Sequence, residues 1–368
     1  MSHLFIVAQG NVRYNQYILD EKGDTMKIDF LELTNFRNIQ KQKISFKDKQ
    51  FVALVGDNGS GKTAILESIT KGFVPILRTI HSQAMKGCDL TNTDIRSGEN
   101  STMITLGITL DEEQYVWTNR KRLSSQYPYD STVEQKDTDI KGLKKLKTKY
   151  AQLAQKGTLP LVLYYGANRI PSAIQSRGYT KDFKIPDALR YCFDDVNYFR
   201  DFYDWFKMEE DMELRELRKN PQYQNPKLSC VRNAIGQMIK GYTNLRIELE
   251  PSRMLVTNEK GVDLRIDQLS GGDKDVLSVT ADIAKRLSIA NPDSSDPLKE
   301  EAVILIDELD LHLHPKWQKE IAGDLKRTFP NCQFMISTHS PFIIQSLDAE
   351  EVFDVKTMTF GVSLDNEN

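Results

Sequence analysis

The chain has 368 residues, 39% of them hydrophobic and 27% charged, with a formal net charge of -3. That length holds one large domain with an insertion, or two domains, and the near-balanced charge excludes a generic polyanion binder while leaving local basic patches open. No apolar run approaches the roughly 20 residues of a membrane span, Leu4–Ala8 is too short for a signal-peptide core, and Cys88, Cys192, Cys230 and Cys332 form no CxxC pair; the chain reads as a soluble, cytoplasmic protein with reduced thiols and no membrane partner.

Residues 1–25 form a leader to which no role is assigned, and Met26 stands directly before the first strand pattern. Ile28, Phe30, Ile44 and Phe46 alternate with polar neighbours, as half-buried antiparallel strands do. Phe51–Val55 is the short apolar run of a buried central strand; a glycine-rich turn follows, then helical spacing at Ile65, Leu66 and Ile69. Met103–Trp117 reads as one or two strands. Asn119–Lys149 is polar and basic, with Arg120, Lys121 and Arg122, then Lys141, Lys144, Lys145, Lys147 and Lys149, and reads as an exposed, mobile insertion. Leu161–Tyr165 is another buried strand. Leu189, Phe193, Val196, Phe199 and Phe206, then Leu228, Val231, Ile235 and Ile239, step at helical spacing and read as a helical lid. The aromatics Tyr198–Phe206 are read as the core of that lid rather than as a base-stacking platform. Met254–Thr257 and Val262–Ile266 flank a hairpin signal at Asn258–Gly261. A helix is expected from Asp273 to about Ala290, and Val303–Ile306 and Phe334–Ile336 are buried strands that each lead into a helix. There is no internal repeat and no heptad run of coiled-coil length.

Four short segments carry chemistry. Gly56–Thr63 reads GDNGSGKT, a fit to G-x-x-x-x-G-K-[ST] between a buried strand and an amphipathic helix. Gly56, Gly59 and Gly61 let backbone N–H groups turn toward a polyphosphate, with Asn58, Ser60 and Ala64 completing the loop and the helix start. Lys62 reaches the β- and γ-phosphates of ATP and Thr63 offers its hydroxyl to Mg²⁺. Val303–Glu308 reads VILIDE, a central strand that ends in two acids at a ligand crevice. Asp307 is placed for Mg²⁺ and Glu308 for a general base. Gln268–Asp273 reads QLSGGD, where Ser270, Gly271, Gly272 and Asp273 open a helix and form a second anion cradle. One ATP needs one phosphate loop, so the second cradle is expected to serve the nucleotide of another copy. Ile336–Pro341 reads ISTHSP and sets His339 just past a buried strand, near the expected γ-phosphate, where it joins Glu308 and Lys62 as a catalytic candidate.

These elements, in this order, resemble the soluble ABC ATPases of the RecF, SMC and OLD group, and most nearly the PtuA-type ATPases of the Septu and retron anti-phage systems. Asn35-Phe36-Arg37-Asn38 in LTNFRNI matches the opening motif of that group, which implies Asn35 and Arg37 beside the nucleotide. Asp307–Pro315, DELDLHLHP, is similar to the RecF-like branch rather than to transporter subunits; there, Asp310, His312 and His314 belong to the D-loop region at a dimer seam instead of a metal pair. The resemblance covers about Lys27 to Val355. It implies an α/β fold, an ABC-type P-loop ATPase head with a mixed central sheet flanked by helices plus antiparallel strands, an inserted helical lid and no long coiled coil. The expected divisions are an N-terminal lobe over residues 26–118, a polar and basic insertion over 119–158, a strand and Q-loop region over 159–185, the lid over 186–244 and a C-terminal lobe over 245–368. The resemblance further implies ATP and Mg²⁺ as cofactors, hydrolysis of ATP to ADP and phosphate at a head-to-tail homodimer or larger homo-oligomer, a separate HNH-type nuclease partner, and DNA or retron nucleic acid as a further ligand. Two departures stand out: no glutamine follows Leu161–Tyr165, leaving Asn168 as the Q-loop candidate, and the signature ends in Asp273 where glutamine is usual. A RecF-like repair ATPase and the nucleotide-binding subunit of a transporter are the alternatives; a self-contained OLD nuclease is not, because only about a dozen residues follow Val355.

Overall fold

The computed structural model describes residues 26–81, 87–123, 137–169, 183–250 and 252–361. The expected leader and the middle of the basic insertion lie outside the described residues. In chain order the elements are β1 (Met26–Phe36), β2 (Ile39–Ser45), β3 (Phe51–Val55), α1 (Lys62–Leu77), β4 (Ser101–Leu110), β5 (Glu113–Arg122), α2 (Asp137–Lys156), β6 (Leu161–Tyr165), α3 (Tyr198–Leu217) and α4 (Pro226–Met238). There follow β7 (Tyr242–Leu249), β8 (Ser252–Asn258), β9 (Asp263–Arg265), α5 (Gly271–Ala290), β10 (Ala302–Ile306), α6 (Pro315–Thr328), β11 (Gln333–Ser337), α7 (Pro341–Gln345), β12 (Val352–Asp354) and β13 (Thr359–Phe360).

Alternation makes the first sheet. Ile28, Leu31, Leu33 and Phe36 of β1 are buried while their neighbours are not, and the sheet runs antiparallel in the order β2-β1-β4-β5. The β4–β5 hairpin closes with Leu110 paired to Glu113, so Asp111 and Glu112 alone make the turn, both at positive φ. That is the two-residue geometry whose twist matches the strands. Helix α1 packs against this sheet: Trp117 Nε1 donates to the Gly72 carbonyl at 2.9 Å, and a Cβ on Gly72 would stand 2.3 Å from Leu106 Cδ1. Close approach of helix and sheet thus requires glycine inside the helix, where it would otherwise cost stability.

The second sheet has the order β13-β12-β3-β11-β10-β6; all neighbours are parallel except the terminal β12–β13 pair. Every residue of β3, β10 and β11 is buried, which is why these strands are continuous apolar runs and not alternating ones. Their carboxyl ends share one edge of the sheet. The loop after β3, the turn after β6, the acids after β10 and the histidine segment after β11 all leave from it. Such an edge is where open α/β sheets bind ligands. The mixed sheet, its flanking helices and the two antiparallel sheets, β2-β1-β4-β5 and β7-β8-β9, match the expected head fold, and among the described residues no coiled coil is present.

Helix α5 is buried around nearly its whole circumference, by α4, α3, β6 and neighbouring turns. It carries charges into that interior. Lys285 pairs with Asp201 of α3, Arg286 pairs with Asp282, and Tyr165 Oη donates to Asp282 Oδ2 at 2.9 Å. Cation and anion are buried together here, since either alone would be costly.

Two expectations change. Asn119–Lys149 is not a mobile loop in its described parts: residues 119–122 finish β5, and α2 lays Leu146, Tyr150 and Leu153 against the first sheet with its lysines outward. The helical spacing from Leu189 does not form one helix. The chain makes a short 3-10 turn at Ile185–Leu189, leaves Val196 exposed and starts α3 only at Tyr198. The cause is Asp194, whose Oδ1 accepts from the N–H groups of Val196 and Asn197 and holds an Asx turn in place of helix. The aromatics Tyr198, Phe199, Phe202, Tyr203, Trp205 and Phe206 are buried against one another, with no face left for a base.

Candidate nucleotide site

The phosphate loop forms because glycine stands where the backbone needs positive φ: 143° at Gly56, 79° at Gly59 and 112° at Gly61. Gly61 caps α1, whose first residue is Lys62, so the helix start and the lysine meet at one point. Lys62 is buried, and its Nζ donates to the carbonyls of Gly56 at 2.8 Å and Asp57 at 3.0 Å. Burial pushes its ammonium below the ordinary value, against Asp307 and Glu308 nearby. Ser60 Oγ is buried without a hydrogen-bond partner among the described residues. A buried hydroxyl is seldom left unpaired, and a phosphate oxygen would supply what it lacks, so the loop fits a polyphosphate. Asn58 is exposed at the loop tip, and Ala64 is buried in the first turn of α1.

Across from the loop, Thr63 Oγ1 donates to Asp307 Oδ2 at 2.8 Å. A hydroxyl beside a carboxylate is a hard oxygen pair, the kind of partial shell Mg²⁺ accepts when phosphates and water complete it. Ser337 at the end of β11 organises the two acids. Its Oγ donates to Asp307 Oδ1 and accepts the Glu308 N–H at 2.8 Å. Glu308 takes φ 48°, a left-handed conformation uncommon outside glycine, which ends the strand abruptly. Asp310 then reaches across to the histidine segment: its Oδ1 accepts from Thr338 Oγ1 at 2.6 Å and from the His339 N–H at 3.1 Å. His339 is exposed beside these acids.

The opening motif divides its work. Arg37 pairs with Glu67 of α1 and with Asp94, at 3.1 Å to the latter, while both Arg37 and Asn35 adopt positive φ. The residue that touches the phosphate loop is Asn38, whose Nδ2 donates to the Gly59 carbonyl at 3.2 Å. Asn38 stood inside the quoted motif but was not singled out.

The signature segment opens α5. Ser270 caps it, accepting the Asp273 N–H at 3.1 Å, and Asp273 accepts from Tyr242 Oη at 3.3 Å. Ser270 and Gly271 are exposed. A Cβ on Gly272 would sit 2.7 Å from the His312 carbonyl, so glycine is needed for the D-loop to lie against the helix start. His314 Nδ1 accepts from the Lys316 N–H at 3.3 Å as the cap of α6, and His312 lies against Gly272 at the start of α5. Asn168 is exposed in the turn after β6. The next residue, Arg169, ends the segment LPLVLYYGANR that shares the look of the resembled family; it is fully enclosed, and the sequence assigns it no role because its partner lies 106 residues away.

The family described as RecF/RecN/SMC N terminal domain matches residues 27–363. The chain is 26% identical over 387 residues to a retron Vc95 probable ATPase of Vibrio cholerae serotype O1 biovar El Tor, covering 91% of this chain and 74% of that protein. It is 24% identical over 398 residues to a retron Ec83 probable ATPase of Escherichia coli, covering 91% and 72%. It is 25% identical over 331 residues to a Septu protein PtuA of Bacillus thuringiensis, covering 88% and 74%.

Proposed function

The chain belongs to the RecF/RecN/SMC N terminal domain family, an ATPase domain, and on that premise we propose that it hydrolyses ATP between two head-to-tail copies as the regulatory ATPase of an anti-phage system with a separate HNH-type nuclease. The observation that carries the ATPase reading is the Thr63 hydroxyl on the Asp307 carboxylate at 2.8 Å. It joins the phosphate loop to the acids after β10, two segments 244 residues apart, at one end of one sheet. The defence reading is supported by relatives named as retron ATPases and as a Septu protein over about nine-tenths of this chain.

ATP is the substrate. The N–H groups of Gly56–Thr63, Ser60 Oγ and Lys62 would hold its phosphates, with Asn35 and Arg37 beside the nucleotide. Mg²⁺, bound by Thr63 and Asp307, would offset phosphate charge. Glu308 takes a proton from the attacking water as its oxygen bonds the γ-phosphorus and the bond to ADP breaks. His339 donates toward the γ-phosphate, and Ser270, Gly271 and Gly272 of a second copy cover it from the far side.

Cells carrying the gene with its neighbouring reading frames should plate phage poorly, and Lys62→Ala should restore plating and abolish phosphate release by the purified chain. Phosphate release unchanged by Lys62→Ala rules out the ATPase reading. Parental hydrolysis with equal plating of parent and variant rules out the defence reading.

A further inference from the structure

Arg169 is 1% exposed and uses all five of its N–H donors. Nε donates to Asp275 Oδ1 at 2.7 Å and Nη2 to Asp275 Oδ2 at 2.8 Å, a bidentate pair with the second turn of α5. The remaining donors go to three carbonyls: Gly166 at 3.1 Å and Asp307 from Nη1, and Glu308 at 2.9 Å from Nη2. Its own carbonyl accepts from Tyr198 Oη of α3 at 2.9 Å. Only a planar guanidinium presents five donors in a fixed fork; a lysine ammonium could not span these acceptors.

The partners are not a random set. Asp307 and Glu308 are the acids of the hydrolytic site, and Glu308 is held at positive φ. Asp275 lies five residues after Ser270, on the helix whose start is offered to the other copy. Burial raises the Asp275 carboxyl above its ordinary value and Arg169 opposes that; removing one partner of such a buried ion pair is costly. A cavity of about 20 Å³ lies against the pair, lined in part by Thr280, Ile306 and Leu309.

We infer that Arg169 is a positioning residue that ties the backbone of Glu308 to the signature helix of the same chain, so that each copy's own hydrolytic site and the surface it lends its neighbour move together. This rests on the reading of Glu308 as the base and of Ser270–Gly272 as a surface for another copy's nucleotide.

The test uses the full chain with Arg169→Lys, Asp275→Asn, both together, and the charge-free pair Arg169→Met with Asp275→Leu. Melting temperature, affinity for a fluorescent ATP analogue and steady-state turnover are measured for each. Misplacing a catalytic group by about 1 Å can cost roughly 10²-fold, so turnover should fall at least about tenfold in each single variant, while nucleotide affinity stays within about twofold. The double variant should be no worse than the single ones, because both cut one link. The charge-free pair should melt near the parent and still turn over slowly. Asp275→Asn at parental turnover overturns the inference, as does recovery of turnover in the charge-free pair, since packing alone would then suffice. Glu308→Gln run alongside separates the two failures: parental turnover in that variant sinks the reading of the base, whereas its loss beside active Arg169 and Asp275 variants sinks the tie alone.

Discussion

At the scale of single residues, the site is a set of acids whose directions are fixed by neutral neighbours. Ser337 serves two of them at once, through its hydroxyl to Asp307 and from the N–H of Glu308, and Asp310 is satisfied by Thr338 and the His339 N–H. Asp307 is thus bound on both oxygens, one by Ser337 and one by Thr63, and suits a fixed electrostatic role. No side-chain hydrogen bond among the described residues holds the Glu308 carboxylate, which leaves it able to accept a proton. Glu308→Gln should therefore keep ATP and Mg²⁺ binding, because Thr63 and Asp307 are untouched, and lose roughly 10²-fold or more in turnover, the usual weight of a general base. Phosphate release and equilibrium nucleotide binding measured on the same preparation check this; hydrolysis at the parental rate would remove Glu308 from the mechanism.

At the scale of elements, what could be read in the sequence depended on how local its cause was. Phe51–Val55 and Leu161–Tyr165 agree residue for residue with β3 and β6, because a strand buried on both faces writes itself as an unbroken apolar run. The helix after Leu189 failed for a local reason that periodicity does not carry, the Asx turn at Asp194. Arg169 was illegible for the opposite reason: its meaning lies in Asp275, Asp307 and Glu308, brought near only by the fold. Helix α2 is an intermediate case. Leu146, Tyr150 and Leu153 follow helical spacing, yet the lysines between them dominated the reading. With the helix in place those lysines differ. Lys145 pairs with Glu113 and Lys149 with Asp111, while among the described residues Lys141, Lys144 and Lys147 have no ion-pair partner. Lys141 and Lys144 line a groove of about 600 Å³ between α2 and β5, and Lys147 faces a second of about 530 Å³ with Arg120 and Lys121. If this surface meets a nucleic-acid backbone, neutralising Lys141, Lys144 and Lys147 should weaken duplex DNA binding. It should also flatten the log–log salt dependence by up to about 0.9 per lost phosphate contact. Equal affinities and equal slopes for parent and variant exclude a DNA role for the patch, and leaving Lys145 and Lys149 intact keeps the helix docked during the test.

At the scale of the whole molecule, the proposed function gives one chain two anion cradles, one for its own nucleotide and one for that of a second copy. Among the described residues no hydrogen bond joins Ser270–Asp273 to Gly56–Thr63. Instead Gly272 is pressed against the D-loop at His312, while Ser270 and Gly271 face outward. On the proposed head-to-tail reading, N–H groups exposed on that helix start would be completed by an anion from outside, the phosphate held by the other copy of a two-fold pair. Closure would then depend on the γ-phosphate, with release after hydrolysis. Ser270→Arg puts bulk and charge into that seam and removes a helix cap worth about 1 kcal/mol, so its melting temperature is compared with that of Ser270→Gly, which relaxes the cap without filling the seam. Ser270→Arg should bind ATP and hydrolyse it poorly; Lys62→Ala should fail at binding. Mixing the two chains creates, in each mixed pair, one composite site with an intact phosphate loop from the first and an intact signature from the second. Hydrolysis should reappear in the mixture and rise with the fraction of mixed pairs, followed by tagging one chain and capturing the other. If the mixture stays at the sum of its separate activities while capture proves that mixed pairs form, the nucleotide is not shared between copies and the head-to-tail arrangement is wrong. Capture of mixed pairs only when ATP is present would tie assembly to the nucleotide.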